Sequence, residues 1–126
     1  MIVLVFGNPD LDADALPLRM LSELRMRFPN IEFRVVDPNE EFDIPNDTLI
    51  LDTVVNISEP RCFRGIEEFA TPPRISLHDF DLYSHLAFLA KVGRLPKHIT
   101  IIGIPPMMVP SGAIAFVSKW LTPMQP

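Results

Sequence analysis

The sequence predicts an α/β fold, a three-layer sandwich in which a largely parallel sheet, with room for one antiparallel edge strand, is flanked by helices. Three observations predict it. Compact runs rich in apolar residues (Ile2 to Phe6, Ile31 to Val36, Thr48 to Leu51 and His98 to Ile104) have strand length and end at glycine, proline or aspartate, as strands buried on both faces do. Other segments carry apolar residues three and four apart, the spacing of an amphipathic helix. The alternation of the two implies right-handed crossovers, hence parallel strands with helices on both faces.

The elements follow in order. Ile2 to Phe6 forms a first strand stopped by Gly7-Asn8-Pro9. From Leu16 to Phe28, Leu18, Leu21, Leu24 and Phe28 recur at helical spacing with Met20 beside them, and Arg19, Glu23 and Arg27 line another face at i, i+4 intervals. Pro29-Asn30 ends that helix. Ile31 to Val36 is the second strand, and the polar stretch Asp37 to Asp47, with two prolines, replaces a crossover helix by a bare loop. Thr48 to Leu51 is the third strand, stopping at Asp52. Arg61 to Arg64, between Pro60 and Gly65, fits a short edge strand whose pattern is too weak for anything buried. Ser76-Leu77-His78-Asp79 has the Ser-x-x-acid form of a capping box. The helix that it opens runs to Val92, with Gly93 and Pro96 as stop signals. His98 to Ile104 is a further β-branched run, and Ser111 to Leu121 a last short helix.

A chain of 126 residues is the size of one domain spanning 1–126, able to bury about two-thirds of the surface its unfolded form exposes. The 16 acidic against 11 basic residues leave a net charge of −5, the wrong sign for tracking phosphate backbones, so nucleic acid is not an expected partner. Cys62 is the one cysteine; no internal disulfide or CxxC zinc site is possible, which fits a reducing cytoplasmic setting. The first apolar run is too short for a signal sequence and no stretch approaches a membrane span, so a soluble protein is expected; a monomer is the expected state. The 14 prolines punctuate the chain instead of clustering. Gly7 has no second glycine near it, which excludes a dinucleotide fingerprint and a phosphate loop, and a serine-hydrolase elbow is missing.

Chemistry in open parallel sheets gathers outside the carboxyl ends of the strands. That rule selects Asp14, in the loop after the first strand, Asp52, at the end of the third, and His78, in the first turn of the capped helix. Two carboxylates and an imidazole suit a divalent transition metal, and three protein ligands leave positions open for water or substrate. Each residue also has an ordinary structural reading. An aspartate after a strand is commonly a turn or capping residue, and a lone first-turn histidine is commonly an ordinary helix residue. Asp10 and Asp12 read as solvated loop acids or an Asx-turn, His85 and His98 as structural or surface residues, and Cys62 as a half-buried apolar side chain.

Four blocks, "GNPDLDADALPLR" (7 to 19), "LILDTV" (49 to 54), "ISLHDFDL" (75 to 82) and "GRLPKHITIIGIPP" (93 to 106), together resemble the maturation endopeptidases of [NiFe]-hydrogenases in order and approximate spacing. The resemblance implies a sheet flanked by helices and an enzyme that removes a C-terminal extension from the immature hydrogenase large subunit once nickel has been inserted. It implies that Asp14, Asp52 and His78 engage nickel that arrives with the substrate, with cadmium able to substitute. Nickel would then polarise the scissile carbonyl or activate a water, and Asp37 is a candidate general base if its loop faces the same crevice. The chain departs from the family where Gly-x-Gly-Asn is replaced by Val5-Phe6-Gly7-Asn8, an acidic pair by Ala13-Asp14, and Asp-Gly-Gly-Ser/Thr by Asp37-Pro38-Asn39-Glu40. Those departures motivate an alternative, a non-proteolytic member acting as a binding checkpoint or chaperone for the immature subunit. A small α/β ligand-binding domain without metal chemistry is a third reading.

Overall fold

The computed structural model describes residues 2–7, 15–36, 43–54, 57–69 and 77–124. Among these residues five strands form one sheet: β1 (Ile2–Phe6), β2 (Glu32–Val36), β3 (Leu49–Thr53), β4 (Arg61–Arg64) and β5 (Thr100–Ile104). Four helices accompany them, α1 (Leu16–Arg27), α2 (Gly65–Phe69), α3 (Leu77–Lys91) and α4 (Pro110–Leu121), and a 3-10 turn follows over Thr122–Met124. The strand order is β2-β1-β3-β5-β4. β1, β2, β3 and β5 are parallel, and β4 pairs antiparallel with β5, from Arg61 opposite Gly103 to Arg64 opposite Thr100. The expected parallel sheet and its antiparallel edge strand are both present.

Alternation along the strands sorts the core into two layers. Val3 and Val5, Leu49 and Leu51, and Ile102 and Ile104 share one cluster with Met20 and Leu24 of α1 and Ala113 and Val117 of α4. Leu4, Phe6, Ile50 and Ile101 face the other way, into a cluster with Leu86 and Leu89 of α3 and Phe63 of β4. Helices therefore cover both faces of the sheet. The order also fixes a switch point: from β1 the chain goes outward through α1 to β2, whereas β3 and β5 lie on the other side of β1. Connections diverge at the carboxyl ends of β1 and β3, which is where ligand crevices open in sheets of this kind.

Several local expectations are met and several corrected. Gly93 does end α3: its φ of 77° is the left-handed conformation glycine adopts without strain. Its N–H reaches the Ala90 carbonyl at 3.2 Å while Arg94 N–H reaches Leu89 at 2.8 Å, a Schellman closure. β3 does not stop at Asp52. It runs through Thr53, because Asp52 and Thr53 pair with Gly103 and Ile104, and the Val54 N–H bonds Ile104 O at 2.9 Å. β4 has the expected bounds, yet Phe63 is fully buried, so the edge strand contributes to the core after all. α2 has no counterpart in the sequence pattern. β5 begins at Thr100 instead of His98, since the Ile99 carbonyl is taken by the N–H of Gly65 where β4 turns into α2. Ser76 of the capping box and most of the loop Asp37 to Asp47 lie outside the described residues; Asp43 to Thr48 contain no helix.

Gly103 is the tightest point of the sheet. A Cβ built there meets Val54 Cγ2 at 2.6 Å and Phe63 Cε2 at 2.9 Å, and both neighbours are fully buried. Gly103→Ala is expected to cost about 1–3 kcal/mol by overpacking, read as a lower urea midpoint at unchanged slope. Combined with Val54→Ala it should cost less than the two single changes added together, because the second change removes the obstructing methyl; simple additivity would show that the strain lies elsewhere.

Candidate functional site

Asp52 sits where sequence reasoning placed it, at the carboxyl end of a central strand, and it is fully buried. Its neighbours on β3 explain the burial. Leu49, Ile50 and Leu51 are fully or almost fully buried and carry the strand into the middle of the sheet, and pairing with Gly103 holds the Asp52 backbone there. A carboxylate in such a position is costly to bury without partners; Asp52 is engaged in an interaction, and its Oδ2 is shielded from solvent. Because Asp52 follows Ile50 by two residues, its side chain leaves the sheet on the face covered by α3. The strand continues through Asp52 into Thr53, so the ordinary reading of Asp52 as a turn residue does not hold.

His78 lies in the first turn of α3. The later part of that helix, with Leu86 and Leu89, packs on the face of the sheet to which Asp52 belongs. Asp14, Asp10 and Asp12 lie outside the described residues, as does Asp37. Asp14 is two residues from Leu16, where α1 starts; that helix takes no side-chain cap from Ala15 and has Pro17 in its first turn. Among the described residues, no three His, Cys, Asp or Glu side chains form a group able to hold a metal. Of the donor set, the described residues include the buried carboxylate of Asp52, an oxygen ligand suited to a divalent cation.

The remaining singled-out residues behave as ordinary structural ones. His98 is exposed and His85 half-buried, the latter with an interaction of its own. Cys62 is half-buried; burial pushes its thiol above the usual range, outweighing the downward pull of neighbouring Arg64, with Glu68 adding to the rise. That is the opposite of what an activated nucleophile needs.

Sequence reasoning missed a groove beside the same end of the sheet. A cavity of about 730 Å³ lies between the segment after β3, with Ile57 and Pro60, and the segment after β5, with Pro105, Met107 and Met108, and is closed by Phe116 of α4. Glu59 is its one charged lining residue among the described residues. Met107 is 88% exposed and Val109 66%, large apolar side chains left in solvent where turns are ordinarily polar. The signal was available in Pro105-Pro106-Met107-Met108-Val109, an apolar run placed directly after a strand. Thr53 was also passed over. It points to the face opposite Asp52, and its hydroxyl is buried with no hydrogen-bond partner among the described residues.

No protein-family model matches the chain, and no curated protein sequence matches it. Solved structures do. The hydrogenase maturating endopeptidase HybD from E. coli superposes with a TM-score of 0.71 at 19% identity, covering 98% of this chain and 93% of that one. A solution structure of an endopeptidase from Escherichia coli gives 0.71 at 20% identity over 98% and 94% of the two chains. The hydrogenase 2 maturation peptidase of a Thaumarchaeota archaeon gives 0.55 at 20% identity over 96% and 97%. Over almost its whole length, therefore, this chain has the α/β fold of hydrogenase maturation endopeptidases.

Proposed function

We propose that the chain is a nickel-dependent endopeptidase that removes the C-terminal extension of an immature [NiFe]-hydrogenase large subunit after nickel insertion. The observation that carries the reading is the buried carboxylate of Asp52 at the carboxyl end of β3, beside the switch point, in a fold shared nearly end to end with hydrogenase maturation endopeptidases. Asp14, Asp52 and His78 engage the nickel carried by the substrate. Nickel supplies the Lewis acid; water adds to the scissile carbonyl carbon, the C–N bond breaks, and the amine leaves with a proton. The apolar groove of Ile57, Pro105, Met107 and Phe116 gives an extended peptide a surface to lie on. In this reading the metal belongs to the substrate, and two carboxylates with one imidazole form too small a shell to retain nickel unaided.

No helix among the described residues is long and apolar enough to cross a membrane. In this reading the precursor is processed in the cytoplasm.

The test is the mass of a large-subunit precursor incubated with the protein. Nickel-loaded precursor should lose its extension, and nickel-free precursor should not. A stable complex with no change in mass would overturn the protease assignment in favour of a checkpoint or chaperone. Asp14→Asn, Asp52→Asn and His78→Ala should each slow cleavage by more than about 100-fold, since losing even an outer partner of a metal ligand costs ten- to a hundredfold. Asp10→Asn and Asp12→Asn should cleave like the parent; equal losses at all three loop aspartates would contradict the role given to Asp14.

Stability separates a ligand from a structural residue. His78→Ala should change the unfolding free energy by less than about 1 kcal/mol while abolishing cleavage; a large loss of stability without metal would return His78 to an ordinary helix residue. In binding titrations, removing any one of the three side chains should weaken capture of nickel-loaded precursor much more than of nickel-free precursor. Equal binding of both forms by the parent protein would exclude metal sensing.

A further inference from the structure

A second recess lies at the opposite end of the sheet, where β4 ends and β5 begins. It encloses about 500 Å³ and is walled by Arg64, Gly65, Glu67, Lys97, His98 and Trp120, with Ile99 and Thr100 as its floor. Its charge runs against that of the molecule. The chain carries a net −5, yet here one carboxylate, Glu67, faces a guanidinium, an ammonium and an imidazole. Glu67 is engaged in an interaction of its own.

Three of the wall residues, Arg64, Lys97 and Trp120, share a second property. Arg and Lys side chains and the indole N–H are donors with no acceptor capacity. The Arg64 guanidinium lies over the Trp120 ring, 6.0 Å from its centroid, which steadies its planar fork at the wall. The ring is held from within α4 by Phe116, at 6.4 Å and tilted by 55°. Trp120 Nε1 is buried and finds no acceptor among the described residues, an uncommon state for an indole. The floor is fixed by the 2.9 Å bond from Gly65 N–H to Ile99 O. Glu67 apart, the charged groups of the recess are donors beside a fixed floor, complementary to a ligand that brings acceptors.

From this arrangement we propose that the recess formed by Arg64, Lys97, His98 and Trp120 binds the oxyanion group, phosphate or carboxylate, of a small molecule. Arg64 and Lys97 contact the oxyanion directly. The site is remote from Asp52 and does not depend on the peptidase reading.

Trp120 is the chain's one tryptophan, so its emission reports on this recess alone. The full chain is titrated with sodium phosphate, with sodium citrate and with sodium chloride, at constant ionic strength. A saturable change in emission with phosphate or citrate, absent with chloride, is the expected result, and whichever arm saturates at lower concentration identifies the oxyanion. Lys97→Gln, at an exposed position, should raise the half-saturating concentration by roughly ten- to a hundredfold, the worth of one charged hydrogen bond. Arg64→Gln should do the same and also shift the emission before any ligand is added. A linear response, a chloride response of equal size, or half-saturation unchanged in Lys97→Gln with its melting temperature intact would each overturn the proposal.

Discussion

The parallel pairing of β1 with β3 is the contact on which the rest of the molecule depends. Val3, Leu4 and Val5 lie in register with Leu49, Ile50 and Leu51, and all six are at most 1% exposed. They contribute to both core layers at once, odd residues of β1 to the layer under α1 and α4, and even ones to the layer under α3. Slipping this pair by one residue would exchange the two faces and leave both layers without partners. It is also the pair whose strands lead in opposite directions across the sheet, so the same contact that builds the core opens the crevice at its carboxyl end.

The candidate chemistry is a direct product of that geometry. A parallel strand buried on both faces has no solvent side on which to place a polar group, so an aspartate at its end is taken into the protein interior unless the strand stops short. β3 does not stop short. It continues to Thr53, and Gly103 on the neighbouring strand supplies the missing volume. The absence of a side chain at Gly103 lets Val54 and Phe63 close over the layer to which Asp52 belongs. Core packing and the position of a carboxylate are here one problem, solved by one glycine.

Much of this was legible in the residues because it rests on local pattern. Strand-length apolar runs, the helical spacing of Leu18, Leu21 and Leu24, and the glycine stop at Gly93 are properties of contiguous sequence. Five residues were too few for α2, Gly65–Phe69, to show a period. Phe63 could not be recognised as core, since its burial comes from Ile101 and Gly103 on another strand and from α3 above it. The end of β3 was misjudged because an aspartate ordinarily signals a turn, whereas pairing with β5 carries the strand past it. The groove was invisible for a similar reason: its walls, Ile57 to Pro60 and Pro105 to Met108, are far apart in sequence and meet only through the β3–β5 neighbourhood. The position of Asp52 near the carboxyl end of a central strand was legible because the apolar run before it marks the strand.

Among the described residues the sheet has two edge strands, β2 and β4, and both carry charge. On β2, Glu32 and Arg34 project from the outer strand and clasp each other at 2.7 Å. On β4, Arg61 and Arg64 bracket the buried Phe63, and Arg61 lies over its ring at 5.0 Å. An unpaired strand edge is a template for adding another strand, and charged side chains at the rim are a common deterrent, because a second copy would have to bury them. This matters in a chain that is 48% hydrophobic with a mean hydropathy of +0.22. Such a composition can drive self-association into stacked sheets once an edge is bare. The arginines of β4 and the ion pair of β2 thus guard the molecule's colloidal identity: they keep a strongly apolar sheet from growing beyond its own five strands.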